Sequence, residues 1–112
     1  TCRETADLAI TLSTEFINIY PCIDLPGSAI HVSSSREPTA NYLRYAFLSY
    51  ETIPNSTVNL TAKEVLKIRD ELWLKIYSSA SVEKSIKYRF GEVALDTLKN
   101  LKKIKLKRRL LN

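Results

Sequence analysis

The sequence predicts a mostly α-helical fold, a small single-domain bundle of four or five helices over residues 1–112. Three observations favour this fold: apolar residues recur at three- and four-residue spacing, Thr61 to Glu64 match a helix-capping box, and the chain has two glycines. So few glycines disfavour a many-stranded sandwich or barrel, whose tight turns need them. The alternative is a small α+β domain in which residues 42–50 and 103–109 are strands.

The first predicted helix covers residues 4–19. Leu8, Leu12 and Phe16 follow one another at four-residue spacing and define one helical face. Apolar residues also alternate from Ala6 to Leu12, as they would in a strand, but the length of the segment favours a helix.

A helix of this length bears on the two cysteines, Cys2 and Cys22. Its ends would lie about 24 Å apart, whereas a disulfide requires Cα atoms within about 7 Å. We therefore expect both thiols to be reduced, as in an intracellular compartment. Two glycosylation acceptor patterns, Asn55-Ser-Thr and Asn59-Leu-Thr, leave a secreted chain open as the alternative.

The middle of the chain is predicted to begin with a long irregular connection over residues 20–37, which contains two prolines and one glycine. Residues 29–32 could be a short extended piece. Residues 33–38 then lead into a helix with Pro38 in its first turn. Apolar spacing predicts that this helix continues over residues 39–51.

The best helix start in the chain is at Thr61, where the Thr61 hydroxyl and the Glu64 carboxylate can each accept a free backbone amide. The apolar face that follows consists of Val65, Ile68, Leu72, Trp73 and Ile76. We expect Trp73 to be largely buried, with Phe16 and Phe47 nearby.

Two more helices are predicted after residue 78. Ser81 can cap the first of them, and Gly91 is placed where a helix stops. The last helix would carry a stripe of Ala94, Leu98, Leu101 and Ile104. Beyond Lys102 the pattern is ambiguous, because lysines and apolar residues alternate.

Two short segments resemble a known family. Pro26-Gly-Ser-Ala-Ile-His-Val32 and Tyr42-Leu-Arg-Tyr-Ala-Phe47 are similar to the carboxy-terminal part of fold-type-I aminotransferases. In that family a Pro-Gly turn precedes a strand whose arginine holds the substrate carboxylate, and the resemblance implies this role for Arg44. No segment resembles the cofactor-binding lysine region, and 112 residues are too few for the large domain. A free-standing transaminase is therefore excluded.

Residues that could carry catalysis or bind a metal are sparse. His31 is the single histidine, and with Cys2 and Cys22 it lacks the paired ligand spacing of a zinc site. No Gly-x-Ser-x-Gly elbow presents a nucleophile, and the two glycines cannot form a phosphate loop. We expect no enzyme activity, no cofactor and no metal.

The charge of the chain is distributed unevenly. Residues 1–60 contain three basic and six acidic residues, whereas residues 61–112 contain fourteen basic and six acidic ones, so the net charge changes from −3 to +8. Between Lys99 and Arg109 there are seven cations and no acid. Such a segment is typical of chains that contact nucleic acid, lipid head groups or an acidic protein surface.

The predicted site for an anionic partner consists of ten basic residues. They are Lys84, Lys87, Arg89, Lys99, Lys102, Lys103, Lys105, Lys107, Arg108 and Arg109. Tyr88 and Phe90 lie among them, and cations interleaved with aromatic rings can neutralise phosphates and stack on bases. The six cations from Lys102 onwards are expected to act as one exposed set, whose substitution leaves stability almost unchanged.

Together these features predict a non-catalytic binding module. Its basic amphipathic C-terminal segment, at about residues 92–112, would contact an anionic partner, above all nucleic acid without strong sequence specificity. The alternatives are a helical subunit that binds an acidic protein surface or forms a homo-oligomer, and a secreted helical glycoprotein. No apolar run reaches the roughly 18–20 residues that cross a bilayer, and no signal peptide is expected.

Overall fold

A computed structural model of the chain describes residues 1–34 and 37–112. Its four α-helices are α1 (Cys2–Leu12), α2 (Ala29–Ser34), α3 (Ala62–Tyr77) and α4 (Ala80–Lys103), and single 3-10 turns occupy Tyr42–Tyr45 and Arg109–Leu111. The described residues contain no β-strand. The mostly helical prediction is confirmed, and the alternative with strands at 42–50 and 103–109 is wrong.

The chain forms two compact units, each built from two separate stretches. The first unit comprises residues 1–19 and 68–105, and the second comprises residues 20–67 and 106–112. The chain therefore enters each unit twice. The assignment of residues 1–112 to one domain, with a separate basic segment at about 92–112, stays a prediction.

The core of the first unit is formed by α1, the second part of α3 and α4. Its buried residues are Ala6, Ile76, Tyr77, Val82, Ile86, Leu95 and Leu98. Trp73 packs against this core and is half-buried, with its ring centroid 4.9 Å from that of Tyr77. The rings of the two predicted neighbours of Trp73 contact other rings. Phe16 contacts Phe90, and Phe47 contacts Tyr20 in the second unit.

The first helix is shorter than predicted. It begins at Cys2, because Thr1 and Glu4 form a capping box, two residues ahead of the predicted start at residue 4. It ends at Leu12, where Ser13 adopts a left-handed conformation (φ 48°) and its hydroxyl donates to the Ile10 carbonyl at 3.0 Å. Residues beyond Ser13 alternate between exposed and half-buried, as in an extended chain.

The extended residues after α1 are held by the hydroxyl group of Tyr77. The backbone N–H of Ile17 donates to this hydroxyl at 2.7 Å, and the hydroxyl donates to the Ile17 carbonyl at 3.0 Å. Ile17 and Ile19, two residues apart, pack against the core from this conformation. The buried Tyr77 side chain therefore pairs both backbone groups of Ile17, which a continued helix would have paired internally.

In the second unit, the predicted extended piece at 29–32 is wrong, because α2 begins at Ala29. The cause lies just before the helix: Gly27 has φ +85°, and Ser28 then accepts the backbone N–H of His31 on its hydroxyl and that of Val32 on its carbonyl. Part of the predicted approach at 33–38, Ser35 and Arg36, lies outside the described residues.

The predicted helix at 39–51 is also wrong, because the chain forms one 3-10 turn there. Side chains compete with helical hydrogen bonding: Asn41 accepts the N–H of Leu43 at 3.2 Å, and Ser49 donates to the Leu43 carbonyl at 2.6 Å. Thr52 donates to the Ala46 carbonyl. The polar side chains thus close a turn structure that apolar spacing alone does not reveal.

The capping box of α3 is confirmed. Thr61 N–H donates to the Glu64 carboxylate at 2.8 Å, and Glu64 N–H donates to the Thr61 hydroxyl at 3.3 Å. The hydrogen bond from the Thr61 backbone lowers the pKa of Glu64 below its usual value. The helix then runs to Tyr77 without interruption.

The longest helix, α4, begins at Ala80 and is interrupted at Gly91. Its N-terminal cap is Ser79. The predicted cap, Ser81, lies inside the helix. Gly91 has φ +82° and ψ −179°, a conformation that residues with a side chain rarely adopt. The predicted stop at Gly91 is therefore a kink, after which the helix resumes and continues to Lys103.

We expect Gly91→Ala to lower the free energy of unfolding by about 1–3 kcal/mol, the usual cost of holding a side-chain residue in such a conformation. A Cβ at position 91 meets no atom within 4 Å, so the cost is backbone strain and not a clash. Urea unfolding followed by circular dichroism measures it, with Lys84→Ala as the control. In an unbroken helix Ala would instead stabilise by about 1 kcal/mol, and that result would contradict the kink.

Tyr77→Phe should lower the free energy of unfolding by about 1–3 kcal/mol, because both backbone groups of Ile17 lose their partner in a half-buried position. The matched control is Tyr88→Phe, which removes the hydroxyl of an exposed tyrosine. Equal stability of the two variants in the same urea titration would show that the Tyr77 hydroxyl does not hold this segment.

Candidate functional site

Arg108, one of the predicted site residues, is buried in the second unit with 1% of its surface exposed. Its guanidinium donates to the carbonyls of Phe47 at 3.0 Å and Ser49 at 3.2 Å, and to the Thr52 hydroxyl at 3.3 Å. These partners belong to the turn that replaced the predicted helix. The prediction that Arg108 is an exposed charge with little effect on stability is therefore wrong.

Lys102 has a similar structural role in the first unit. Its ammonium group contacts the Glu83 carboxylate and donates to the carbonyl of Tyr77 at 3.3 Å. The side chain is 17% exposed. Because it joins the end of α4 to the end of α3 and to the start of α4, Lys102 is not a free charge for a partner.

Four other predicted cations are exposed but paired with carboxylates. Arg89 contacts Glu15 at 2.6 Å, Arg109 contacts Glu51 at 2.6 Å, and Lys87 contacts Glu92 at 2.7 Å, whereas Lys99 is only 3.9 Å from Asp96. The hydrogen bond with Glu92 raises the pKa of Lys87, and the same bond lowers the pKa of Glu92. The Lys87–Glu92 and Lys99–Asp96 pairs are solvent-exposed, so each can be broken at little cost, whereas the carboxylates of Glu15 and Glu51 are half-buried.

The remaining four predicted cations are exposed, and none of them contacts a carboxylate within the part of the chain that the structure describes. They are Lys84, Lys103, Lys105 and Lys107. Lys103 donates to the neutral side chain of Asn100 at 3.0 Å, which leaves its charge uncompensated. These four lysines are the cations that an anionic partner could contact without displacing an internal carboxylate.

The lysines near the C-terminus project from an extended stretch of chain. The helix ends at Lys103, and Ile104 and Arg108 have extended backbone angles. Lys105 and Lys107 are exposed, whereas Leu106 is half-buried and Arg108 is buried, which is the alternation of an extended chain. We call Lys103, Lys105 and Lys107 the lysine segment; the first two belong to the first unit and the third to the second.

The outer face of α4, before the kink, contains a second group of candidate residues. Val82 and Ile86 are buried in the core, and residues two positions further along point about 200° away from each of them. Lys84 and Tyr88 occupy these positions, one helical turn apart, and Tyr88 is 89% exposed. Lys84 was predicted as part of the basic site and Tyr88 as lying among its residues, and the helix places them on the same face.

The structure describes no residues grouped for metal binding or for nucleophilic catalysis. In residues 1–34 and 37–112, no three metal-ligating side chains come together. His31 is buried with its Nδ1 atom 3.8 Å from the carboxylate of Asp24, and Ser34 donates to Asp24 and not to the imidazole. This arrangement does not activate a serine hydroxyl, which requires a direct bond to histidine.

Neither cysteine forms a disulfide. Cys2 and Cys22 are both free and exposed. This state agrees with the expectation of reduced thiols. The premise of that expectation, a continuous helix over residues 4–19, was wrong, since the helix ends at Leu12.

The two glycosylation patterns differ in the surroundings of their asparagines. The Asn55 side chain accepts the backbone N–H of Asp24 at 2.8 Å, whereas Asn59 is exposed.

Comparisons with protein-family models, curated proteins and solved structures find no match to this chain.

The structure does not support the resemblance to aminotransferases. Residues 29–34 form a helix and Arg44 lies in a 3-10 turn, where the family would have a strand. No described helix combines the length and the apolar character needed to cross a membrane.

We expect Arg108→Met to lower the free energy of unfolding by about 1.5–3 kcal/mol, because two backbone carbonyls and a hydroxyl lose a charged donor. The matched control is Lys107→Met, which removes the neighbouring exposed charge and should change stability by less than about 0.5 kcal/mol. Urea unfolding of both variants compares them. If the two variants are equally stable, Arg108 does not support the turn.

Proposed function

We propose that this chain is a non-catalytic module that binds nucleic acid without sequence specificity, through phosphate contacts from exposed lysines. One observation carries the proposal: four lysines, Lys84 and the three of the lysine segment, are exposed and lie on no described carboxylate. A chain of net charge +5 presents them to solvent. Phosphate groups of a nucleic acid backbone are the partners that such cations attract most strongly.

Binding to these lysines requires little rearrangement. An exposed ammonium group on a flexible stem can approach a phosphate without breaking an internal contact. The counterions released from the nucleic acid then favour the complex. Lys102 and Arg108 could not contribute in this way, because each would have to abandon hydrogen bonds that hold its own unit together.

The absence of sequence specificity follows from the kind of cations that remain. Reading a base edge usually needs a planar side chain with two aligned donors, above all arginine on guanine. Both C-terminal arginines are engaged, Arg108 with backbone carbonyls and Arg109 with Glu51. The lysines are point charges that contact phosphates equally well beside any base.

A second candidate function is assembly through an apolar surface, and the first helix favours it. Leu8 and Leu12, one turn apart on α1, are both more than half exposed. Apolar residues in this arrangement are often buried by a partner helix. A dimer would be detected by light scattering at increasing concentration, and Leu8→Gln together with Leu12→Gln should return it to monomer.

The nucleic-acid proposal predicts a salt-dependent affinity that depends on the lysine segment. Replacing Lys103, Lys105 and Lys107 by Gln lowers the net charge from +5 to +2. If each lysine neutralises one phosphate, the slope of log K against log salt for a single strand should become shallower by about 2 units. Fluorescence anisotropy with a labelled oligonucleotide at several salt concentrations measures this slope, and circular dichroism confirms unchanged folding.

The control for this experiment removes the same charge elsewhere. Arg3, Lys63 and Lys67 are exposed and lie outside the predicted site, and their combined replacement by Gln also reduces the net charge to +2. We expect this variant to keep most of the slope. Equal losses in both variants would show that only the net charge matters, and failure of the unaltered chain to bind any nucleic acid would overturn the proposal.

A further inference from the structure

We propose that Tyr88 is a stacking platform that makes this chain prefer single-stranded over double-stranded nucleic acid. The inference rests on the proposed function and extends it from phosphate contacts to the form of nucleic acid that is bound. It starts from one side chain: Tyr88 is a large aromatic residue that is 89% exposed in the middle of a helix.

The first step concerns what Tyr88 does for the fold. Within the described residues its ring stacks on no other ring, and its hydroxyl makes no hydrogen bond, in contrast to Tyr77. Tyr88 faces away from the core that Val82 and Ile86 fill. Aromatic residues are also weaker helix formers than the long polar residues that usually occupy such positions. Packing and helix propensity therefore do not account for tyrosine here.

The second step concerns the charge around the ring. Lys84 lies one turn before Tyr88 on the same face, and Lys87 precedes it directly. The two nearest carboxylates in the sequence, Glu83 and Glu92, are already bonded to Lys102 and Lys87. An approaching phosphate therefore meets the charge of Lys84, which no carboxylate neutralises. It meets no unpaired carboxylate among the described residues of α4 before the kink.

The third step matches this arrangement to a form of nucleic acid. A base can stack on an exposed tyrosine ring only when its own face is free, and in a duplex both faces are covered by neighbouring base pairs. A single strand offers free bases joined to phosphates, so one nucleotide can stack on Tyr88 while its phosphate contacts Lys84. Charge complementarity and the exposed ring therefore both favour a single strand.

The test compares two substitutions at position 88 on two ligands. Tyr88→Ala should weaken binding to oligothymidine by at least about fivefold, the lower range for the loss of one stacked base. Tyr88→Phe should bind like the unaltered chain, because it keeps the ring. Binding to a duplex whose two ends are closed by linkers without bases, so that no base face is free, should be unchanged by either substitution.

A second variant tests the charge of the same face by increasing binding, which a folding defect would not do. Glu92→Gln removes the partner of Lys87, and the released ammonium group can then contact a phosphate. The salt slope for oligothymidine should steepen by about 0.7 units if one phosphate is added. No change in the slope would show that Lys87, once released from Glu92, adds no phosphate contact, and would contradict this prediction.

The outcomes separate the two proposals. If oligothymidine and duplex bind but Tyr88→Ala weakens neither, or weakens both equally, the stacking role is overturned and the proposed function stands. If the unaltered chain binds neither ligand, both proposals fail. If the unaltered chain binds phosphatidylserine vesicles and neither nucleic acid, and Tyr88→Ala abolishes vesicle binding, this face contacts lipid. Stacking on bases is then ruled out.

Discussion

The burial of Arg108 shows that a cation in the basic segment can support the fold and be closed to a partner. The role of every other cation in this segment therefore depends on what its own side chain contacts. A guanidinium group is costly to remove from water unless its donors are hydrogen-bonded, and here its Nη1 atom donates to two backbone carbonyls and a hydroxyl. Those acceptors come from a segment without regular secondary structure, in which the Ser49 carbonyl also accepts from the Thr52 hydroxyl at 2.7 Å. The most basic part of the chain is thus partly an internal support, and the net charge of the segment overstates what a partner can reach.

The same reasoning separates the remaining cations by what they already contact. Lys102 connects the ends of two helices in the first unit. The exposed pair formed by Lys87 is weak, whereas Arg89 and Arg109 contact half-buried carboxylates. Four of the ten predicted cations, all of them lysines, contact no carboxylate among the described residues, and the proposed function rests on them. Tyr88 adds a contact that charge alone does not provide, since an exposed ring discriminates between forms of nucleic acid.

Local signals predicted the parts of the fold that depend on a few neighbouring residues. The capping box at Thr61 and the break at Gly91 were both visible in the sequence. The helix predictions that failed relied on apolar spacing, whereas the cap predicted at Ser81 failed although it rested on a local signal. At residues 13–19 an extended chain buries Ile17 and Ile19 on the core, and at residues 39–51 serine, threonine and asparagine side chains close turns. In both segments side-chain hydrogen bonds to the backbone replaced helical ones.

The sequence by itself determined the helical class, the strongest helix start, the break in the helical pattern at Gly91 and the basic second half. These features depend on composition and on contacts between residues about three or four positions apart. Only the tertiary structure decided which cations are available, because the partners of Arg108, Arg109 and Arg89 lie more than fifty residues away in the chain. The free energy of a charged side chain is determined by the groups around it after folding, and sequence spacing does not specify those groups.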